Sequence, residues 1–307
     1  MVTESIAWIA VDWGTSNLRA WSMNADGQPL GSASTDKGMG KLARADFPAA
    51  LIEIATQLGV DPQASIPVLV CGMAGARQGW LEAPYLEVPA DLRALAGGAV
   101  RPDMPQSRLD VSILPGICQH RGGENVMRGE ETQLLGLASL NPGYGGLVCM
   151  PGTHSKWARL DGTRIDRFTT AMTGEMFEVL KTHSVLRHSL GGTLDGAGRD
   201  EGFSEGAADG LEAPQDLLGK LFRVRAASLI AGRQPDWCAG YLSGLLIGTE
   251  IAAQSKEIGG EPVPLIGSAV LCNLYAQVLA MAGKSGRPVD ATAVVLAGLS
   301  AARSHSE

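Results

Sequence analysis

The segment Asp12-Trp-Gly-Thr-Ser-Asn17 combines residue types that can bind a phosphate group. It follows a continuous apolar run and supplies a turn made of Gly14, Thr15, Ser16 and Asn17. A tight turn exposes consecutive backbone N–H groups, and glycine lets a phosphate approach the backbone closely. Asp12, at the end of the predicted strand, could hold Mg²⁺, since that ion is often bound through one or two carboxylates and water. An ordinary hairpin turn is the alternative interpretation.

A second Gly-Thr turn occurs in the later half of the chain, at Gly152-Thr153. In both copies an apolar strand precedes Gly-Thr, a strand carrying a basic residue and a Trp follows, and Asp-Gly closes the next hairpin. His154, Ser155 and Lys156 belong to the second copy and could contact phosphate oxygens directly. The echo predicts two domains of similar design, and chance similarity of two hairpins is the alternative.

Two adjacent acids, Glu130 and Glu131, open a predicted helix directly after Arg128 and Gly129. Neighbouring helical residues project about 100° apart, so only one of the two acids can face a given site. Acids are also favoured in a first helical turn because they suit the helix dipole. One of the two acids could therefore act in catalysis, or both could simply stabilise the start of the helix. The sequence does not show which of the two would face a site.

Arg77 could bind the carboxylate of a ligand. It belongs to the segment Arg77-Gln78-Gly79-Trp80, which follows another predicted buried strand. Arginine can pair bidentately with a carboxylate, which a lysine cannot reproduce. Gln78 could bind hydroxyl groups, and Trp80 could form a wall of the site. The alternative is a surface arginine beside a tryptophan that covers the core. Arg128 is the second candidate for the same role.

The overall composition limits the classes of partner. The formal net charge is −7 and no run of Lys and Arg is present, which argues against a nucleic-acid partner. The five cysteines are widely spaced without a CxxC motif, as expected of reduced thiols. Neither a signal peptide nor a membrane span is indicated, so we expect a cytoplasmic protein without a membrane partner. A homo-oligomer is compatible with the sequence.

The elements that must position these residues follow from hydrophobic periodicity and turn residues. In the first half of the chain, the predicted strands and helices have the order of a mixed ribonuclease-H-type sheet. The strands are predicted over 6–12, 18–23, a third piece to about 37, 66–71 and 111–114, and the helices over 47–58 and 128–140. The second part predicts strands over 164–173, 263–266 and 293–297, helices over 174–186, 217–231, 237–254 and 269–282, and an exposed Gly-rich loop over 191–214. With a hinge at 141–146, we expect α/β domains over residues 1–143 and 144–307.

Seven segments, in order, resemble the 2-dehydro-3-deoxygalactonokinases, a family of the sugar kinase, actin and heat-shock-chaperone ATPase superfamily. The segments are DWGTSNLRAW, DKGMG, CGMAGARQGWLEAPYL, MRGEETQLLGL, MPGTHSKW, MTGEMF and YLSGLLIGTE. The resemblance covers nearly the whole chain. It implies two ribonuclease-H-like (actin-like ATPase) domains, with ATP and substrate in a cleft between them.

The resemblance also implies a reaction, namely ATP-dependent phosphorylation of 2-dehydro-3-deoxy-D-galactonate at its terminal hydroxyl, in galactonate catabolism. By analogy with related sugar kinases, Glu130 or Glu131 takes the proton of the attacking hydroxyl. Further expected contacts are Gly267 and Ser268 with the nucleotide, and Glu175 with the substrate. One departure stands before the second turn, where many relatives carry an acid and this chain has Met150 and Pro151.

Two other functions remain open at the level of sequence. A non-catalytic sugar-acid or nucleotide sensor could share the fold, although a sensor need not keep Asp12 and the Glu130–Glu131 pair. An ATPase or phosphatase would use water as acceptor, whereas the Arg77–Trp80 segment favours an organic acceptor.

Overall fold

The structure is a computed structural model that describes residues 5–191, 196 and 198–305. Its strands are β1 (Trp8–Trp13), β2 (Leu18–Met23), β3 (Pro29–Thr35), β4 (Pro67–Gly72), β5 (Tyr85–Glu87), β6 (Ala90–Asp91), β7 (Asp110–Ile113), β8 (Gly116–Gln119), β9 (Asn125–Met127), β10 (Gly145–Met150), β11 (Ser155–Asp161), β12 (Arg164–Ala171), β13 (Val263–Ile266) and β14 (Gly286–Val289). Its α-helices are α1 (Phe47–Gln57), α2 (Glu130–Leu140), α3 (Thr173–His183), α4 (Gly198–Glu212), α5 (Leu217–Ile230), α6 (Pro235–Gln254), α7 (Ala269–Met281) and α8 (Ala291–Ser304).

The chain divides into two compact units. The first comprises residues 1–145, 160–168 and 291–307, and the second comprises residues 146–159 and 169–290. In the first unit, a five-stranded sheet has the order β3-β2-β1-β4-β7. β1 is antiparallel to β2 and parallel to β4, so the last residue of β1, the first residue of β2 and the last residue of β4 lie at the same end of the sheet.

The second large sheet repeats this order. From β12 it runs β12-β11-β10-β13-β14, which matches β3-β2-β1-β4-β7 strand for strand in chain order. β10 is parallel to β13, and β13 is parallel to β14, as β1, β4 and β7 are to one another. The echo between the two Gly-Thr segments therefore reflects a repeated sheet. The fold is the predicted α/β arrangement of actin-like ATPases with mixed sheets.

Each unit buries its own aromatic core. In the first unit the Trp13 ring lies 4.9 Å from Phe47 and 6.0 Å from Trp80, measured between ring centroids. In the second unit Trp157 and Tyr275 are buried among aliphatic side chains of β10, β13, α6 and α7. These cores anchor the strands that precede and follow each Gly-Thr turn, so the turns project from rigid supports.

Glycine-lined contacts join two helix pairs. On α4 and α6, glycines recur at every fourth residue, and a Cβ on Gly210 or on Gly248 would lie 2.5 Å from a carbonyl oxygen of the other helix. On α2 and α8, Cβ atoms on Gly136 and Gly298 would overlap backbone atoms of the partner helix. Only glycine allows these backbones to approach so closely.

Most predicted elements are present, and two predictions are wrong. The Gly-rich stretch 191–214 is largely helix α4 rather than a loop, because its glycines pack against α6; residues 192–195 and 197 lie outside the described residues. The predicted strand over 293–297 is part of helix α8, which packs on α2 through Gly298. The sequence prediction also missed β14 and the small sheet β5-β8-β9. Within the described residues, no helix is both long and apolar enough to span a membrane.

Candidate functional site

The first Gly-Thr turn is closed by its own backbone and held by a neighbouring loop. Within the turn, the Gly14 amide donates to the Asn17 carbonyl at 2.8 Å. The Gly40 amide donates to the Thr15 carbonyl at 2.9 Å, which ties the DKGMG segment to the turn. Thr15, Ser16 and Asn17 are exposed residues of the first unit. The turn thus has the form expected of an anion-binding loop.

Gly38 explains why the DKGMG segment can support this turn. A Cβ on Gly38 would overlap the backbone between Thr15 and Asn17. The Trp13 indole also donates to the Lys37 carbonyl at 3.0 Å. In the sequence this segment was one of those that resemble the family, and its position against the turn gives it a supporting role.

Asp12 lies at the end of β1 with its side chain 15% exposed. One carboxylate oxygen accepts a hydrogen bond from the Arg19 guanidinium, the residue opposite it on β2. The other oxygen lies 3.9 Å from the Cys71 Sγ on β4. Asp12 is therefore a largely buried, ion-paired carboxylate directly before the turn. Its position fits a carboxylate that could hold a cation beside the turn.

The second Gly-Thr turn is supported in the same way as the first. The Glu175 amide donates to the Thr153 carbonyl at 2.9 Å. A Cβ on Gly174 would lie 2.5 Å from the Gly152 carbonyl oxygen and 2.8 Å from the Thr153 Cα. Gly38 and Gly174 each stand three residues after the third strand of their sheet, β3 and β12. The repeat therefore includes the glycine that supports each turn.

The side chains that follow the second turn point in different directions. His154 is exposed and forms a hydrogen bond with Glu175 through Nε2. Ser155 is buried, and its hydroxyl lies 2.8 Å from the Tyr275 hydroxyl. Lys156 is also buried, only 5% exposed, on β11. His154 is thus the member of this set that is open to a ligand at the turn, together with the exposed Thr153.

Glu250 forms a buried polar network beneath the second turn, which the sequence reasoning missed. It accepts hydrogen bonds from the Trp157 indole at 2.7 Å, from the Tyr275 hydroxyl at 2.6 Å and from the Thr173 hydroxyl. Burial raises the pKa of Glu250, and the hydrogen bonds oppose that shift. An acid inside the apolar run of α6 was the available sequence signal.

A cavity of about 620 Å³ opens beside the second turn. Its walls combine apolar side chains of α6 and α7 with charged residues of α3. The lining includes Gly152, Thr153, Thr173, Gly174, Glu175, Phe177, Lys181, His183, Arg199, Ser243, Leu246, Leu271, Leu274 and Tyr275. The size and mixed lining suit a small organic ligand.

Gly267 and Ser268 connect β13 to α7 on another side of the second turn. A Cβ on Gly267 would lie 2.8 Å from the Pro151 carbonyl oxygen. Ser268 caps α7, since its hydroxyl accepts from the Leu271 amide at 3.3 Å. The two residues following them in α7, Ala269 and Val270, are exposed. The pair thus places a capped helix start close to the turn.

The two acids of α2 occupy different environments. Glu131 is fully buried, and both of its carboxylate oxygens accept from the Gly129 amide at 2.8 Å. Burial, together with the charge of Glu130, raises the pKa of Glu131 to about 7. Glu130 is partly exposed and accepts from the Arg128 amide at 3.0 Å. Gly129 enters the helix at φ 104°, which only glycine adopts easily.

The Arg77 segment lies after β4, and its three candidate side chains separate. Arg77 is 81% exposed, and its Nε lies 3.4 Å from Glu82. Gln78 is exposed as well. Trp80 is buried in the core against Trp13 and Phe47, so its ring supports the unit from inside. Arg128, by contrast, is 9% exposed and lies under the Tyr85 ring.

Metal binding by protein side chains alone is not indicated. Within the described ranges, no three His, Cys, Asp or Glu side chains come together in a way that could hold an ion. Asp12 stands as a single carboxylate beside the first Gly-Thr turn. This donor set fits a Mg²⁺ that takes most of its ligands from phosphate oxygens and water.

Comparison with known proteins identifies the family. A sequence model described as 2-keto-3-deoxy-galactonokinase matches residues 12–302. A Rhizobium meliloti protein described as "Probable 2-dehydro-3-deoxygalactonokinase DgoK1" is 42% identical over 303 residues, covering 98% of each chain. The Escherichia coli 2-dehydro-3-deoxygalactonokinase is 35% identical over 289 residues, covering 94% of this chain and 92% of that protein.

A solved structure agrees with these sequence matches. A crystal structure of a Sinorhizobium meliloti protein, which carries a provisional 2-dehydro-3-deoxygalactonokinase name, superposes with a TM-score of 0.85. It is 41% identical, and the match covers 97% of this chain and 98% of that one. The repeated sheet, the paired Gly-Thr turns and these near-full-length matches lead to one conclusion. The chain belongs to the 2-keto-3-deoxy-galactonokinase family of sugar kinases.

Proposed function

We propose that this chain transfers the terminal phosphoryl group of ATP to the terminal hydroxyl of 2-dehydro-3-deoxy-D-galactonate. The products are 2-dehydro-3-deoxy-6-phospho-D-galactonate and ADP, in a step of galactonate catabolism. The observation that carries the proposal is the match to one kinase family over residues 12–302. The proposal assigns residues 1–143 to the first phosphate turn, the sugar-acid site and the base, and residues 144–307 to the second turn and the nucleotide.

For the nucleotide, the proposal uses the cavity beside the second turn. Exposed Thr153 and His154 would contact phosphate oxygens, while the apolar faces of α6 and α7 would accept the nucleoside. The Glu250 network would keep β11, α3 and α7 in place beneath the turn, since it joins Trp157, Thr173 and Tyr275. Gly267 and Ser268 would add the capped start of α7 near the phosphates.

For the metal, Asp12 is the residue that would hold Mg²⁺, through water or directly. The ion, when bound, would neutralise charge on the transferred phosphoryl group. Asp12 is already paired with Arg19, which fixes the carboxylate at the edge of the first turn. Thr15, Ser16 and Asn17 would then orient phosphate oxygens through their N–H groups and polar side chains, and Gly14 would let the phosphate approach the backbone.

For the base, the proposal favours Glu130 over Glu131. The pKa of Glu131, raised to about 7, would suit a proton acceptor, but the side chain has no exposed surface and is occupied by the Gly129 amide. Glu130 is partly exposed in the first turn of the same helix. Because a base must reach the hydroxyl it deprotonates, access decides before pKa does.

An ADP-release assay with purified protein, Mg²⁺ and ATP tests the proposal. We expect release that depends on 2-dehydro-3-deoxy-D-galactonate, with a phosphomonoester product detected by phosphorus NMR. The gluco epimer, run in parallel, measures epimer preference. Release without any acceptor would indicate an ATPase instead, and binding without release would indicate a sensor.

A further inference from the structure

The Arg128 guanidinium is buried with incomplete hydrogen bonding. The residue is 9% exposed, and Nη2 donates to the Ala83 carbonyl at 2.8 Å. Nε and Nη1 have no hydrogen-bond partner within the described part of the chain. Unpaired buried donors are costly, and a buried charge is more so. The arrangement therefore retains binding capacity for an anion.

The surroundings of Arg128 hold the guanidinium in a fixed plane. The Tyr85 ring covers it, with the guanidinium carbon 4.3 Å from the ring centroid. On another side, a Cβ on Gly75 would lie 2.8 Å from Nη1, so glycine makes room for the charged group. Tyr85 is itself 38% exposed and belongs to β5, an edge strand of the small sheet β5-β8-β9. A side chain at a partly exposed sheet edge can move aside for a ligand at lower cost than a core residue.

Arg128 also stands at a suitable place relative to the acids. Its backbone amide donates to Glu130, while its side chain extends away from α2 toward Ala83 and Tyr85. In the proposed substrate the carboxylate and the reacting hydroxyl are at opposite ends of the carbon chain. Arg128 would then hold one end of such a substrate and Glu130 would face the other.

We infer that Arg128 binds the carboxylate of the sugar-acid substrate, with Tyr85 as the side chain that covers the guanidinium and yields to the ligand. This inference rests on the proposed function. Arg128 is preferred to Arg77, which is 81% exposed and lies near Glu82. An exposed, partly neutralised arginine gains less from a carboxylate than a desolvated one with unused donors.

Equilibrium binding separates this inference from the proposed reaction. Calorimetry would compare 2-dehydro-3-deoxy-D-galactonate with its primary amide, which has the same shape without the charge. We expect the parent to prefer the acid, and Arg128→Met to lose about ten- to a hundred-fold in affinity for the acid only. Arg128→Lys should recover part of the loss, and Arg77→Met is the matched control that should bind as the parent does.

The outcomes are distinct. An acid preference that survives in folded Arg128→Met, or that disappears in Arg77→Met, overturns the assignment. If the parent binds the acid through Arg128 but releases no ADP, the proposed phosphoryl transfer is refuted, whereas the carboxylate site at Arg128 is confirmed. If Arg128 variants do not fold, a crystal structure of the parent with the sugar acid decides, since a carboxylate bound away from Arg128 refutes the inference.

Discussion

Gly174 lies against the carbonyl oxygen of Gly152, so that a Cβ on Gly174 would be 2.5 Å from that oxygen. Cβ atoms do not approach a non-bonded oxygen this closely, so the backbone of the second turn would have to shift. We expect Gly174→Ala to raise the KM for ATP about ten-fold or more while the protein stays folded, because the turn would lose its alignment with phosphate oxygens.

Gly219→Ala is the control for this change. Gly219 lies inside α5, and a Cβ there meets nothing within 4 Å. This variant should keep the parent's KM for ATP and gain about 0.5–1 kcal/mol in the free energy of unfolding. Equal KM values for ATP in both variants would show that the second turn does not position the nucleotide.

Asp12→Asn should leave the fold intact and lower turnover by several orders of magnitude. The substitution keeps the shape of the side chain but removes the charge that pairs with Arg19 and that would hold Mg²⁺. Each ~1.4 kcal/mol added to the barrier is a ten-fold loss in rate. Turnover is to be measured at saturating ATP and Mg²⁺, with Asp26→Asn, an exposed acid of the turn between β2 and β3, as control. Activity within a few-fold of the parent would refute the metal-binding role.

Glu130→Gln and Glu131→Gln should differ in their effect on turnover. Glu130 is accessible, and losing a general base costs roughly 10²–10⁴-fold. Glu131 is fully buried on the Gly129 amide, and glutamine can still accept that hydrogen bond through its carbonyl oxygen. We therefore expect Glu131→Gln to retain most activity in single-turnover measurements. The reverse order would place the base at Glu131.

Glu131 should also make stability depend on pH. Its pKa is raised from 4.5 to about 7, so the folded state binds a proton more tightly than the unfolded state does. The resulting stabilisation is fully present below about pH 4.5 and is lost as the pH rises through about 7. Because Glu131→Gln has no such proton, its thermal midpoint should fall less than the parent's between pH 5 and 8. If the thermal midpoints of the two proteins changed equally with pH, Glu131 would not have the raised pKa that this prediction assumes.

The sequence by itself determined much of the framework. Apolar runs that end at Gly-Thr located β1 and β10, and helical periodicity located α1, α2, α5, α6 and α7. These features are local, since a turn or an amphipathic pattern is encoded by neighbouring residues. The echo between Gly14 and Gly152 indicated a repeated unit, and five strands of the second sheet have the strand order of the first, with β6 added beside β12.

Only the tertiary structure decided what depends on residues far apart in the chain. It assigned glycines 202, 206 and 210 to a helix, because close packing on α6 outweighs their low helix propensity. It separated Glu131 from Glu130 by burial, and it placed Trp80 in the core and Arg77 in solvent. It also set Tyr85 over Arg128, which lies 43 positions later, a juxtaposition that no local pattern encodes.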